Sequence, residues 1–196
     1  PENFVNLLYK KTRLEDTFGV NMLAIYNGRP ETMGLREIIR ANVDFQFEVA
    51  RRKYTNLLAK EQEKKEIQEG LIKACNVIDL IIEILRGSRD RNMAKACLTE
   101  GKTEGIRFKS RESKIMAEQL MFTEKQANAI LDMRLKALQG LDREKLQNEY
   151  QELEEKIAYY LRVLGDENLV KAILKEELQA ISDKYGDDRK TEIQDV

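Results

Sequence analysis

The 196-residue chain has no histidine, no tryptophan, two prolines, two cysteines and no excess of charge of either sign. Without histidine, the usual zinc ligand sets, imidazole acid–base chemistry and Ser-His triads fall away. Cys75 and Cys97 are too few for a disulfide framework and lack metal-ligand spacing. Lying among apolar residues in helical patterns, they are expected to be plain buried thiols of a reducing cytoplasm. No apolar run approaches the ~20 residues of a membrane-spanning helix, and no signal peptide is recognisable. With 34 basic and 35 acidic residues the net charge is −1, so no global field draws the chain to nucleic acid, and any such role must be local or mechanical. Gly101-Lys102-Thr103 lacks the upstream glycine spacing of a phosphate loop. Asp187-Asp188 supplies too few oxygen ligands for a hard cation and is expected to be solvated. No catalytic, cofactor or metal site is therefore expected.

Charged residues make up 35% of the chain and aromatics 7%, a mix that suits long helices and coiled coils better than sheets. From Leu35 to about Ala74 there is no proline and no glycine until Gly70. Val43, Phe47, Ala50, Tyr54 and Leu57 recur at alternating steps of four and three, an a/d-type seam. The seam turns polar across Glu61-Gln62-Glu63-Lys64-Lys65 and resumes at Ile67, Leu71, Ala74 and Ile78. A helix over 35–74 would be roughly 60 Å long, more than a compact globule needs. A second seam runs through Leu146, Tyr150, Leu153, Ile157, Tyr160 and Leu164 to Gly165. The two seams can pair antiparallel with a smaller domain inserted at the far end.

The fold class expected is mainly α, a long antiparallel coiled-coil stalk carrying a small helical globular dimerisation domain. The expected divisions are 1–33, a remnant of a neighbouring core; 34–75, the first stalk helix; 76–141, the globular domain; 142–165, the returning helix; and 166–196, a C-terminal helix and tail. Within 1–33, Met22–Tyr26 is a strand candidate closed by the turn dipeptide Asn27-Gly28, with no obvious partner strand. The start without Met and the end at Val196, together with this lone strand, give the expectation of an excised piece. Within 76–141, the spacing predicts helices over 77–85, 91–99 and 123–140, the last opened by the capping box Thr123-Glu124-Lys125-Gln126. The polar, basic stretch 101–114 is expected to be a mobile loop. The polar break at 61–66 and Gly165-Asp166 are expected flexing points.

Tyr54, in Arg51-Arg52-Lys53-Tyr54-Thr55, is the one tempting nucleophile for a phosphodiester. Its seam position instead predicts a packed ring, and a nuclease is the alternative. Arg36, Arg40, Arg51, Arg52 and Lys53 are expected to form a solvated face with at most weak phosphate contact. The stripe Ala127, Ile130, Leu131, Met133, Ala137 and Leu138 is wider than one core face requires, so part of it is expected to meet a second copy of the chain.

Several stretches resemble the A-type polypeptide of type IIA topoisomerases, the gyrase and topoisomerase IV family. They are GVNMLA at 19–24 followed by Gly28-Arg29-Pro30, Glu69-Gly70-Leu71, TEKQANAILDMRLKALQGLDREKLQNEYQELEEKIAYYLRVLGD at 123–166, and KYGDDRKTEI at 184–193. The resemblance implies a homodimeric, cytoplasmic enzyme part whose globular domain meets its twin at the exit gate for a transported DNA duplex. Carried over residue by residue, that contact involves Gln126, Ile130, Met133, Arg134 and Leu138. It also implies a parent complex with DNA and a gyrase B-type subunit, using ATP and magnesium through other domains. The family's nucleophilic tyrosine lies in an Arg-Tyr pair upstream of this region, and Arg52-Lys53-Tyr54 is not that pair. The DNA-wrapping domain would begin after Ile193. The ending favours gyrase over the equivalent part of topoisomerase IV, and an unrelated structural coiled coil is the remaining alternative.

Overall fold

The computed structural model describes residues 2–193. Residue 1 and residues 194–196, on which the expected fragment ends rest, lie outside the described residues. The chain forms two compact units, Pro1–Val49 and Ala50–Val196.

The first unit contains helix α1 (Glu2–Lys11), strands β1 (Leu23–Tyr26) and β2 (Arg29–Thr32), and the start of helix α2 (Leu35–Asn76). The strand expected to be alone has a partner: β1 and β2 pair antiparallel, Leu23 opposite Thr32 and Tyr26 opposite Arg29. Asn27 and Gly28 both take positive φ, 50° and 77°, which matches the right-handed twist of a two-residue hairpin and which only Gly and Asn adopt cheaply. β2 escaped notice because Arg29-Pro30-Glu31-Thr32 has no apolar alternation and is exposed throughout; its proline is tolerated because a two-stranded sheet is all edge. Glu37 accepts a hydrogen bond from the Gly34 amide at 2.8 Å, so a carboxylate closes the first turn of α2 and complements the positive helix end.

The second unit holds the rest of α2 and helices α3 (Ile78–Gly87), α4 (Arg91–Glu100), α5 (Arg111–Ala117), α6 (Glu124–Asp132), α7 (Leu135–Gln139), α8 (Arg143–Gly165) and α9 (Glu167–Tyr185). Side-chain caps set most of these starts: Asp90, Ser110, Asp142 and Asp166 each accept from an amide two or three residues on. Such a cap contributes about 1 kcal/mol. Thr123 and Gln126 form the reciprocal capping box of α6, as the sequence pattern requires. One core joins α3, α4, α6 and α7, with Ile81, Ile84, Cys97, Leu98, Ile130 and Leu138 at its centre. Gly101 ends α4 at φ 70°, and a Cβ there would stand 2.5 Å from the Glu118 carbonyl oxygen; both facts demand glycine.

Two expectations need correction. The helix predicted over 123–140 is broken at Met133 and Arg134, both in extended conformation, and the break re-aims the chain so that Ile130 and Leu138 enter one core. The stretch 101–114 is not a free loop. Ile106 is buried in the core, the buried Thr103 hydroxyl donates to Glu118 at 3.1 Å, and the Arg107 amide donates to the Gly87 carbonyl at 3.3 Å. Helix α5 then starts inside it.

Burial pushes the Cys97 thiol up to about 11. At pH 8 only about one molecule in a thousand then carries the thiolate, the form that reacts. Cys97 is expected to resist iodoacetamide in the folded protein at pH 8 and to react once urea unfolds it, which peptide mass mapping reads directly. Alkylation in the native state at the rate of a free thiol would contradict this burial.

Candidate dimerisation interface

Four side-chain contacts fix how α2 and α8 pair. Lys65 meets Glu154 at 3.0 Å, Gln68 Nε2 donates to both the Leu146 carbonyl and Glu149 at 3.0 Å, and the Tyr150 hydroxyl donates to Glu69 at 2.9 Å. Rising numbers on one helix meet falling numbers on the other, so they run antiparallel. All six residues of the second seam are buried or half-buried. On α2 the seam does not lapse at the polar stretch: Glu61 and Gln68 occupy its next positions and are themselves 7% and 9% exposed.

Tyr54 sits in this seam, its ring centroid 6.4 Å from that of Tyr159 and 5.8 Å from that of Tyr160. It is buried, and burial first, then Tyr159, raise its hydroxyl above the ordinary range. Lys53 beside it is paired with Glu177 at 3.1 Å. Each of these opposes a phenolate aimed at a substrate. Arg36, Arg40, Arg51, Arg52 and Lys53 are all exposed, and Arg51 faces Glu167 at 3.9 Å. Among the described residues no group of three or more His, Cys, Asp or Glu is placed to hold a metal ion. No helix among them is long and apolar enough to cross a membrane.

The five residues singled out on α6 and α7 separate into two kinds. Ile130 and Leu138 are 0% and 1% exposed and belong to the unit's own core. Gln126 is buried too, and its side chain is fully engaged: Oε1 accepts from the Thr123 amide at 3.0 Å, and Nε2 donates to the Glu66 carbonyl of α2 at 2.7 Å. Gly70 makes this docking possible, since a Cβ there would lie 2.5 Å from Gln126 Cγ. The Thr123 hydroxyl on Glu66 at 2.7 Å and Lys125 on Glu63 at 2.9 Å hold the same end of α6 against α2. Met133 is half-buried against the core, and Arg134 is exposed. A second copy can therefore reach Met133 and Arg134 at the extended joint, along with Leu135, which is 37% exposed. Ile130, Leu138 and Gln126 act behind that surface, holding α6 and α7 in place. Apolar character alone could not divide the stripe this way, because a core and an interface ask for the same residues.

A second feature was only half visible in the sequence. Residues 86–114 carry nine basic and four acidic residues, a net +5 against −6 for the rest of the chain. The structure gathers this charge where residues 105–109 run beside the end of α3.

Residues 1–179 match the family model for the GyrA-type polypeptide of DNA gyrase and topoisomerase IV. The corresponding DNA gyrase polypeptide of Clostridium acetobutylicum is 42% identical over 190 residues, covering 97% of this chain and 21% of that protein. Those of Staphylococcus epidermidis and Staphylococcus aureus are each 40% identical over 190 residues, covering 97% of this chain and 19% of the relative. The chain thus spans about a fifth of the length of these relatives.

Proposed function

Because the chain belongs to the GyrA-type family of DNA gyrase and topoisomerase IV, we propose that it forms the dimeric exit gate through which a transported DNA duplex leaves a type IIA topoisomerase. In this reading α2 and α8 are the two helices of a coiled-coil stalk, 34–75 and 142–165. Residues 76–141 are the globular gate domain, 1–33 link to the DNA-cleaving core, and 166–196 are a C-terminal helix and tail. The parent is a cytoplasmic, ATP-hydrolysing isomerase working with DNA and a gyrase B-type subunit, with ATP and magnesium used by other domains. This chain contributes mechanics and not bond-breaking. The equivalent part of topoisomerase IV shares the reading, since the family description covers both.

The observation that carries the proposal is the interruption between α6 and α7. Two extended residues, Met133 and Arg134, stand between two buried anchors, Ile130 and Leu138, so a rigid core presents a short, partly apolar ridge. A ridge of this kind suits an isologous twofold contact, in which each copy offers the same patch. It is also a contact that can open and reclose without unfolding its support.

Sedimentation equilibrium of the 196-residue chain over a wide dilution range tests the reading. The expected result is a dimer that dissociates on dilution, with Arg134→Glu and Met133→Gln raising the dissociation constant about tenfold or more, the equivalent of ~1.4 kcal/mol. A monomer at every concentration, or a dimer indifferent to both substitutions, would remove these residues from the contact.

A further inference from the structure

The chain's positive charge is concentrated on the gate domain in a form that lacks internal partners. Arg86, Arg89, Arg107, Lys109, Arg111 and Lys114 are all exposed, and none of their side chains makes an ion pair or hydrogen bond among the described residues. Their neighbours in sequence behave differently: Arg91 is paired with Asp132, Lys95 with Glu124 and Lys102 with Glu100. In a chain with 35 acidic residues, six adjoining cations left unpaired are a local departure from the pattern elsewhere.

The backbone brings them together. The Arg107 amide donates to the Gly87 carbonyl, a Cβ on Gly87 would stand 2.4 Å from the Arg107 carbonyl oxygen, and one on Gly105 would lie 3.6 Å from Arg89 Nη2. The segment 105–109 is therefore laid directly along the C-terminal turn of α3. Glu83 on α3 then ties in the start of α5, accepting from the Lys109 amide and, at 3.3 Å, from the Ser113 hydroxyl. That use matters for the electrostatics, because the carboxylate best placed to neutralise the patch is already committed to backbone and hydroxyl donors. Asp90 caps α4, and Glu118 accepts from Thr103. Glu104 and Glu112 remain as the nearby exposed acids.

We propose that this edge, Arg86, Arg89, Arg107, Lys109, Arg111 and Lys114, binds the phosphate backbone of double-stranded DNA. Exposed cations held on a fixed scaffold, without base-reading geometry, suit sequence-independent phosphate contact, whose affinity comes from releasing condensed counterions. The chain's overall charge of −1 keeps the attraction local and the contact weak, as a surface along which a duplex must slide requires. The contact stands on the patch alone; its use as a track for a departing duplex rests on the exit-gate reading.

Fluorescence anisotropy of a labelled 30-base-pair duplex with the 196-residue chain, over about 50–200 mM salt, tests the contact. A logarithmic salt slope of about −3 to −5 is expected, since each neutralised phosphate contributes about −0.9. The triple substitution Arg107→Gln, Lys109→Gln, Arg111→Gln should flatten the slope by up to about 2.7 and weaken low-salt binding at least tenfold. Arg91→Gln, Lys95→Gln, Lys102→Gln removes the same charge from cations that are already paired and should change binding less than about threefold, a much smaller loss because their counterions are carboxylates. Circular dichroism confirms that both variants keep their helices. No binding at ~50 mM salt, equal weakening by the two triples, or displacement of the duplex by polyglutamate at equal charge would overturn the proposal, the last by identifying an acidic protein surface as the partner. A chain that binds duplex through these cations yet stays monomeric keeps the contact and removes the exit gate. A dimer that ignores duplex does the reverse.

Discussion

Ile130→Ala is expected to lower the unfolding free energy by about 2–5 kcal/mol, by losing transfer free energy and leaving a cavity. The loss should be the same at high and low protein concentration. Ile130 is 0% exposed within a single chain and shares its core with Ile81, Ile84, Leu98 and Leu138, so dissociating a dimer exposes nothing more of it. Met133→Ala should behave oppositely. Its side chain lies half-exposed at the edge of that core, so truncation should cost the monomer about 1 kcal/mol or less and act mainly on association. Urea unfolding at two protein concentrations a hundredfold apart separates the two, because only a contact between copies makes stability depend on concentration. If Met133→Ala costs more than Ile130→Ala, and only at high concentration does Ile130→Ala cost anything, Ile130 belongs to the interface and the burial argument fails. The distinction matters for any test of the gate. A polar residue at position 130 would abolish dimers by unfolding the domain that makes them, and the result would look like a broken interface.

Helical regions were legible where one periodicity ruled a long stretch. The expected first helix, 35–74, is observed as Leu35–Asn76, because nothing between Leu35 and Gly70 interrupts it and its seam needs only alternating steps of three and four. All six positions of the second seam are buried or half-buried for the same reason. Legibility failed where the determining contact is made by backbone or by a distant residue. β2 has no apolar face, and its existence follows from the Asn27-Gly28 turn returning the chain alongside β1. The break at Met133–Arg134 contains neither glycine nor proline, so no local signal marks it; the core's demand for both Ile130 and Leu138 does. Ile106, Leu120 and Phe122 are core residues set in a polar segment, where composition alone predicted a loop. The site was legible in part: the right short region was chosen, but apolar side chains do not declare whether their own chain or another covers them.

Glu61→Leu is expected to raise the unfolding free energy by about 1–3 kcal/mol, the cost of a buried polar group left without a partner. Glu61 occupies the seam position four after Leu57 and is 7% exposed. Lys64 donates to its Oε1 at 2.8 Å, whereas Oε2 is buried with no hydrogen-bond partner among the described residues. Leucine of similar length removes that orphan and adds apolar surface to a seam already lined by Tyr54 and Leu57. Gln68 is the control one turn and a half further on. It is just as buried, but it donates to both the Leu146 carbonyl and Glu149, so Gln68→Leu breaks satisfied bonds and should be neutral or cost about 1 kcal/mol. Polar seam residues are thus not equivalent: one cements the helix pair and the other weakens it. Urea midpoints for the two variants decide the matter, and a destabilising Glu61→Leu would mean that the carboxyl group finds a partner in solution. In the exit-gate reading the weak place has a use, because a stalk that must bend needs one turn that is cheaper to open than its neighbours. Amide exchange over 61–66 should then be faster than over 50–57 in the natural sequence and should slow to match it in Glu61→Leu. Equal exchange in both proteins would leave the buried carboxyl group as a stability defect without a mechanical role, and would move the flexing point to Asp166, where the chain leaves helical conformation between α8 and α9.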